Sequence, residues 1–153
     1  MRYEITKSFR FEAAHSLPHL PECHQCHRLH GHSYELIVGV SGPVSNHWVQ
    51  DYADIAAVVC PLVAQLDHRN LDEIFHPVAT TAENVATWFW RKLAITLPML
   101  SRIEIRETPT SNVILTHSRD ECPDCGSRDV KGGESYSECF VCVNCGAKWP
   151  LEI

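Results

Sequence analysis

Three histidines near the start of the chain have the spacing of a catalytic metal centre. His30 and His32 are two residues apart, and His15 ends an earlier hydrophobic run. If a strand begins near Gly31, the side chains of His30 and His32 project from the same face, because side chains alternate along a strand. Three neutral imidazoles leave one position open on a tetrahedral zinc ion, which is typical of catalytic rather than structural zinc. These residues therefore predict an enzyme.

Three further residues can move protons beside such a metal. Cys26 lies four residues before His30, and a nearby zinc ion or imidazolium would favour its thiolate, which is a competent base. Asp67 directly precedes His68, so its carboxylate can orient and charge the imidazole, as in a proton shuttle. The alternative for His68 is an electrostatic role at the C-terminus of a helix.

Cys23 leaves two alternatives open at this motif. Together with Cys26, His30 and His32 it could close a structural zinc site, or it could form a disulfide with Cys26 that switches the base off. We expect Cys23 to take no part, because His15 would otherwise have no role. A hypothesis from another class is a two-zinc interaction module in which all these ligands are purely structural.

Hydrophobic periodicity predicts the elements that position these residues. The pattern gives a first strand through Tyr3, Ile5, Phe9 and Phe11 into His15, and a second strand over 34–40. A helix capped by Asp51 follows, and then a helix opened by a capping box of Thr80 and Glu83. Two further strands cover 103–107 and 113–117. Pro61 should kink or split the first helix. This order suits a four-stranded antiparallel sheet with both helices on one face, an α+β layer.

Composition is that of an ordinary globular protein. The 153 residues are 44% hydrophobic and 21% charged, with a net charge of −6. This charge argues against binding to nucleic acid or to anionic membranes. No apolar run approaches the roughly 20 residues of a membrane helix, and the first residues lack an export signal. We therefore expect a cytoplasmic protein with reduced cysteines.

Residues 119–153 differ from residues 1–118 and predict a second module. Five of the eight cysteines lie here, and the CxxC pairs Cys122/Cys125 and Cys142/Cys145 are separated by sixteen residues, a spacing typical of structural zinc in a zinc ribbon. Metal would supply the folding free energy that so small a segment lacks. Iron is a possible substitute, and Cys139 could replace Cys145. Because the segment is net acidic, we expect a structural or assembly role.

Four motifs in residues 1–118 resemble the pterin synthases that act on dihydroneopterin triphosphate. They are FEAAH at 11–15, CxxxHGH at 26–32, LDH at 66–68 and ET at 107–108. This family includes 6-pyruvoyltetrahydropterin synthase and the 6-carboxytetrahydropterin synthase of the 7-deazaguanine (queuosine precursor) pathway. The CxxxHGH spacing is similar to the carboxy-forming branch. The cysteine-rich tail is not part of the family pattern.

The resemblance implies a fold, an assembly and a reaction. The fold is the tunnelling fold, whose subunits form rings such as homohexamers with active sites at subunit interfaces. The reaction converts 7,8-dihydroneopterin triphosphate to 6-carboxy-5,6,7,8-tetrahydropterin, acetaldehyde and triphosphate, and the alternative is the pyruvoyl product or another dihydropterin reaction. Cys26 would take a proton from the substrate, Asp67 and His68 would form the partner relay, and Glu107 would anchor the pterin ring. We expect one catalytic and one structural zinc ion per chain.

Overall fold

The computed structural model describes residues 1–116 and three short strands beyond them, Val130–Lys131, Cys139–Cys142 and Lys148–Pro150. The chain divides into two compact units, Met1–Leu115 and Thr116–Ile153. None of the helices in the described part has the length and apolarity needed to cross a membrane.

The first unit is a sheet with helices on one face. In chain order its elements are β1 (Tyr3–His15), a 3-10 helix (Gln25–His27), β2 (His30–Gly42), α1 (Tyr52–Leu66), β3 (Arg69–Asn70), α2 (Leu71–Phe75), α3 (Ala82–Leu93), β4 (Leu100–Thr108) and β5 (Ser111–Thr116). The strand order across the sheet is β3-β1-β2-β4-β5. Strands β1, β2 and β4 are antiparallel neighbours, whereas β3 runs parallel to β1.

The predicted α+β class is confirmed, with two additions. Within the described residues the sheet has a fifth strand, β3, and the helical layer has a third helix, α2. Both additions lie between the two predicted helices and follow His68 directly. They attach this stretch of the chain to the end of β1, where Ala13 and Ala14 pair with Arg69 and Asn70.

The hydrophobic core lies between the sheet and the helices. It contains alternate residues of the strands and one face of each long helix, among them Phe11, Tyr34, Leu36, Val38, Ile55, Val59, Leu66, Val85, Phe89, Leu93, Ile103 and Ile105. In the register of β1 and β2, Phe11 pairs with Tyr34, and His15 pairs with His30. Because alternate residues share a face, the histidines continue the same columns of side chains that form the core.

Helix α1 begins as predicted but is not split by its proline. The Asp51 carboxylate accepts a hydrogen bond of 2.7 Å from the N–H of Ala53, which caps the helix. Pro61 lies within the continuous helix. Pro61 and Ala57 are both exposed, so water can hydrate the Ala57 carbonyl that the proline cannot bond.

The capping prediction for α3 is wrong by one residue. Thr81, not Thr80, is the N-cap, and its hydroxyl accepts a hydrogen bond of 3.4 Å from the N–H of Asn84. Thr80 is fully buried, and its hydroxyl donates to the Asp72 carboxylate over 2.7 Å. The Thr80 hydroxyl, which the local sequence assigned to the cap, therefore bonds to Asp72 on α2 instead.

The second unit contains a three-stranded antiparallel sheet formed by β6 (Val130–Lys131), β7 (Cys139–Cys142) and β8 (Lys148–Pro150). Cys142 is the last residue of β7. The other three predicted zinc ligands, Cys122, Cys125 and Cys145, lie outside the described residues. The zinc ribbon and its metal stay predictions.

Candidate active site

The three predicted metal ligands come together at one end of the sheet. His15 closes β1, while His30 and His32 open β2, and the strand register pairs His15 with His30. Their candidate nitrogen atoms all lie within 4.8 Å of one another. The ring centroids are 4.6 Å apart for His15 and His30, 4.9 Å for His30 and His32, and 5.2 Å for His15 and His32. Three imidazoles thus converge on one point.

Backbone carbonyls set the orientation of two of these rings. Nδ1 of His15 lies 2.8 Å from the carbonyl oxygen of Thr80, and Nδ1 of His30 lies 2.8 Å from that of Arg28. A carbonyl oxygen only accepts, so in both rings Nδ1 donates and Nε2 keeps its lone pair. This is the usual support for a histidine that binds metal through Nε2.

The His15 ring supplies the test of whether a metal fits. Its Nε2 is buried and has no hydrogen-bond partner among the described residues. An unsatisfied buried acceptor costs about 1–3 kcal/mol, which a metal ion bound there would offset. Three imidazole nitrogens also suit zinc, which takes three protein ligands in catalytic sites. The donor set therefore fits Zn²⁺.

His32 is held in the neutral form that metal binding requires. Burial lowers the pKa of His32, and the neighbouring His15 and His30 lower it further, while the Glu107 carboxylate partly opposes them. A lowered pKa favours the uncharged imidazole. Electrostatics and geometry thus favour the same state of the ring.

Glu107 and Tyr34 are two neighbouring polar residues beside the histidines. Tyr34 follows His32 on the same face of β2 and stacks on Phe11, with ring centroids 4.8 Å apart. The Tyr34 hydroxyl and Oε1 of Glu107 are both buried and without hydrogen-bond partners among the described residues. Burial raises the pKa of the Tyr34 phenol, and the Glu107 carboxylate raises it further. The phenol is therefore protonated and lies within hydrogen-bonding reach of the Glu107 carboxylate, so the two form one polar pair beside the histidines.

Sequence reasoning assigned Tyr34 only to a strand. The signal that could have revealed it is the alternation itself, because Tyr34 continues the series of His30 and His32 on one face. Glu107 was expected to bind the substrate, and its place beside His32 is compatible with that role.

Asp67 and His68 form the predicted pair at the end of α1. Oδ2 of Asp67 lies 3.0 Å from Nδ1 of His68, and its Oδ1 accepts a hydrogen bond of 2.9 Å from the N–H of Glu12. These bonds, led by that from Glu12, lower the pKa of Asp67 and keep it ionised. With Nδ1 of His68 engaged by Asp67, Nε2 is the nitrogen left to exchange protons.

The backbone of His68 is also constrained. Its φ of 56° lies in the left-handed region, which is uncommon for residues other than glycine. The N–H of His68 donates to the carbonyl of Glu12 over 2.5 Å. Two hydrogen bonds to Glu12 therefore attach the pair to β1, although the His68 side chain itself is 78% exposed.

His68 and His32 face the same space. They line an open cleft of about 510 Å³ whose other polar side chains are Glu12, Ser33, Arg69 and Asn70. The cleft therefore borders the pair of Asp67 and His68 and one of the three histidines, His32.

Cys26 lies in the loop between β1 and β2. It is half-buried in the 3-10 helix, where its N–H donates to Nδ1 of His24 over 3.1 Å and its carbonyl accepts from the N–H of Leu17 over 2.8 Å. Cys23 and Cys26 are both free thiols. In the part of the chain that the structure describes, the grouped metal ligands are histidines alone. The thiols of Cys23 and Cys26 lie outside this group, and the structural site that would include them stays an alternative hypothesis.

Comparison with known proteins points to one family. The sequence model of the 6-pyruvoyl tetrahydropterin synthase family matches residues 4–118. The chain is 38% identical over 115 residues to a 6-carboxy-5,6,7,8-tetrahydropterin synthase from Synechocystis, which covers 70% of this chain and 88% of the relative. It is 34% identical over 98 residues to a dihydroneopterin monophosphate aldolase from Pyrococcus furiosus, covering 64% and 81%. The solved structure of the Caenorhabditis elegans 6-pyruvoyl tetrahydropterin synthase matches with a TM-score of 0.70 at 28% identity, covering 77% and 97%.

Proposed function

Because the chain belongs to the 6-pyruvoyl tetrahydropterin synthase family, whose tetrahydropterin synthases are lyases, we propose a specific lyase reaction for it. The substrates are 7,8-dihydroneopterin triphosphate and one water molecule, and the products are 6-carboxy-5,6,7,8-tetrahydropterin, acetaldehyde and triphosphate, a precursor step toward 7-deazaguanines. The observation that carries the proposal is the cluster of three histidines, in which the buried Nε2 of His15 has no hydrogen-bond partner among the described residues. The similarity to the Synechocystis relative supports the carboxy product.

Substrate binding in this proposal rests on the histidines and on Glu107. His15, His30 and His32 hold the zinc ion, which would polarise the side-chain hydroxyls of the substrate and lower their pKa. The carboxylate of Glu107 accepts hydrogen bonds from the pterin ring, since a carboxylate can accept two in parallel. Glu107 thereby sets which end of the substrate faces the histidines.

Proton movement rests on Cys26 and on the pair of Asp67 and His68. Cys26, as the thiolate, takes a carbon-bound proton from the substrate side chain. Asp67 holds Nδ1 of His68 at 3.0 Å, so that Nε2 gives and takes protons at the cleft.

Product identification tests the proposed reaction. Purified full-length protein, loaded with zinc, is incubated with dihydroneopterin triphosphate, and the products are identified by mass. We expect 6-carboxytetrahydropterin and acetaldehyde in equal amounts. The 6-pyruvoyl product would move the chain to the other branch of the family, and an unchanged substrate would contradict the proposal.

A second candidate function follows from the Pyrococcus furiosus relative, which is named for cleavage of the monophosphate. An aldol cleavage of dihydroneopterin monophosphate would break the bond between the two hydroxyl-bearing carbons and release glycolaldehyde phosphate and 6-hydroxymethyl-7,8-dihydropterin. Supplying the monophosphate in a parallel reaction separates the candidates, because acetaldehyde comes only from the first and glycolaldehyde phosphate only from the second.

Replacing His68 with asparagine is expected to lower turnover by about 100- to 10,000-fold, the usual range for loss of a general acid or base. Asparagine tolerates the positive φ at this position, so the backbone can stay as it is. Zinc content should not change, since His68 is not a ligand. His76→Asn, at an exposed histidine beyond α2, is the matched control, and an unimpaired His68→Asn enzyme would remove His68 from the relay.

The sheet edges support a ring-shaped homo-oligomer, such as a homohexamer. Within the first unit, β1 pairs with β3 only at Ala13 and Ala14, and β5 is the opposite edge strand. Open edges are templates for pairing with another chain. For residues 119–153 we propose a zinc ribbon on Cys122, Cys125, Cys142 and Cys145 with a structural role, supported by the CxxC spacing.

A further inference from the structure

We propose that Asp72 is a positioning residue, which fixes His15 for metal binding through hydrogen bonds to both Ser16 and Thr80. The inference rests on the proposed function, because it assumes that His15 is a metal ligand. Asp72 lies in the first turn of α2 and is not among the residues with an expected role. Its side chain nevertheless connects the two parts of the chain that hold the His15 ring.

The carboxylate of Asp72 accepts three hydrogen bonds from two residues. Oδ2 accepts from the N–H of Ser16 over 2.9 Å and from its hydroxyl over 2.7 Å. Oδ1 accepts from the hydroxyl of Thr80 over 2.7 Å. Ser16 follows His15 directly, and the Thr80 carbonyl accepts the hydrogen bond from Nδ1 of His15.

These contacts form a closed ring of interactions around His15. One side runs from the His15 imidazole through Thr80 to Asp72, and the other runs from the His15 backbone through Ser16 to the same carboxylate. The Asp72 carboxylate therefore fixes both the backbone and the imidazole ring of His15, through Ser16 and Thr80. Because the residues behind metal ligands fix ring orientation and tautomer, they are worth about 10- to 100-fold in metal affinity.

The location of Thr80 supports a role in orientation. Thr80 is fully buried and His15 is 2% exposed, so water cannot replace the carbonyl at Nδ1. The Thr80 hydroxyl also has a second acceptor, the Ser16 carbonyl, at 3.3 Å. Thr80 is thus held by its side chain while its backbone holds His15.

Two substitutions separate hydrogen bonding from charge. Asp72→Ala removes all three acceptor contacts. Asp72→Asn removes the charge but can keep the network, because its carbonyl still accepts from Ser16 and its amide can donate to the Thr80 hydroxyl, which turns to the Ser16 carbonyl. Glu73→Gln, the exposed neighbour in the same turn, is the matched control for a lost charge.

Zinc affinity of the full-length chain is measured by competition with a chromogenic chelator, with His32→Ala as the baseline that lacks the histidine site. We expect Asp72→Ala to bind zinc about 10- to 100-fold more weakly. Asp72→Asn should stay within about threefold of the wild type, since its hydrogen bonds are kept, and Glu73→Gln should be unchanged. A wild type indistinguishable from His32→Ala would instead refute the proposed metal site.

Thermal unfolding with and without zinc separates positioning from general support of the fold. Positioning predicts a smaller zinc-induced rise in Tm for Asp72→Ala, whereas a purely structural role lowers both values equally and overturns the inference. Equal loss of affinity in Asp72→Asn and Asp72→Ala would also overturn it, since charge would then be responsible. Thr80→Val, which removes only the hydroxyl, should weaken zinc binding, and adding it to Asp72→Ala should cause no further loss.

Discussion

Replacing His32 with alanine is expected to reduce zinc from about two ions to about one ion per chain and to lower turnover by about a thousandfold or more. His32 is one of three converging imidazoles, and two nitrogens alone are a poor site for zinc. Residues behind a ligand are already worth about 10- to 100-fold in affinity, so loss of a ligand should exceed that range. Lewis-acid stabilisation is worth several kcal/mol, and about 1.4 kcal/mol is tenfold, so turnover should fall by about a thousandfold or more.

Metal analysis of the purified chain and initial rates of product formation measure the two effects. His19→Ala is the control, because His19 is an exposed histidine of the loop between β1 and β2 and is not one of the grouped ligands. The zinc ion that remains in His32→Ala would report the proposed site in residues 119–153. Full zinc content with normal turnover in His32→Ala would contradict the histidine centre.

Replacing Cys26 with alanine is expected to leave zinc content unchanged and to lower turnover by about 100- to 10,000-fold. The thiolate is the proposed base, and the alanine side chain has no group that can accept the proton in its place. The histidine ligands do not depend on Cys26, because Nδ1 of His15 and Nδ1 of His30 are held by backbone carbonyls.

Two other cysteines provide the controls for this result. Cys60 is exposed on α1, and Cys23 is exposed in the same loop as Cys26. Cys60→Ala and Cys23→Ser should both keep zinc and activity. Loss of zinc from Cys26→Ala would instead favour the hypothesis of a purely structural module, in which the thiol binds metal.

The alternation of side chains is the part of the fold that the sequence predicts well. Phe9 and Phe11 share parity with His15, and Ile103 and Ile105 share parity with Glu107, so the same alternation rule places both His15 and Glu107 on the core face. The common face of His30 and His32 follows in the same way. A period of two is a strong local signal, because each inward side chain has to be apolar over the length of a strand.

Elements too short to show a period were missed. β3 has two residues and α2 has five, and neither length can display a helical or strand repeat. Their existence depends on hydrogen bonds to β1 and on the Asn70 side chain, which accepts from the N–H of Asp72. Consequently Asp72 had no visible role before the fold was known.

Local rules also failed where tertiary contacts compete with them. Thr80 followed by Glu83 is a plausible capping box, yet the buried Thr80 hydroxyl bonds to Asp72 and leaves the cap to Thr81. Pro61 is a helix breaker by propensity, but its exposed position leaves only a solvated carbonyl without a partner. In both cases the decisive partner is distant in sequence or is water.

The attachment of Asp67 and His68 to Glu12 determines which parts of the site can change independently. Glu12 and His15 belong to one strand, so their separation is about 10 Å at about 3.3 Å per residue, whatever the loops do. Cys26, in contrast, is carried by the loop of residues 16–29, which joins the end of β1 to the start of β2. Insertions or substitutions in that loop can therefore bring a different base to the substrate without altering the distance between the Glu12 anchor and the His15 backbone. The sheet thus makes one spacing invariant and leaves the identity of the base open to variation.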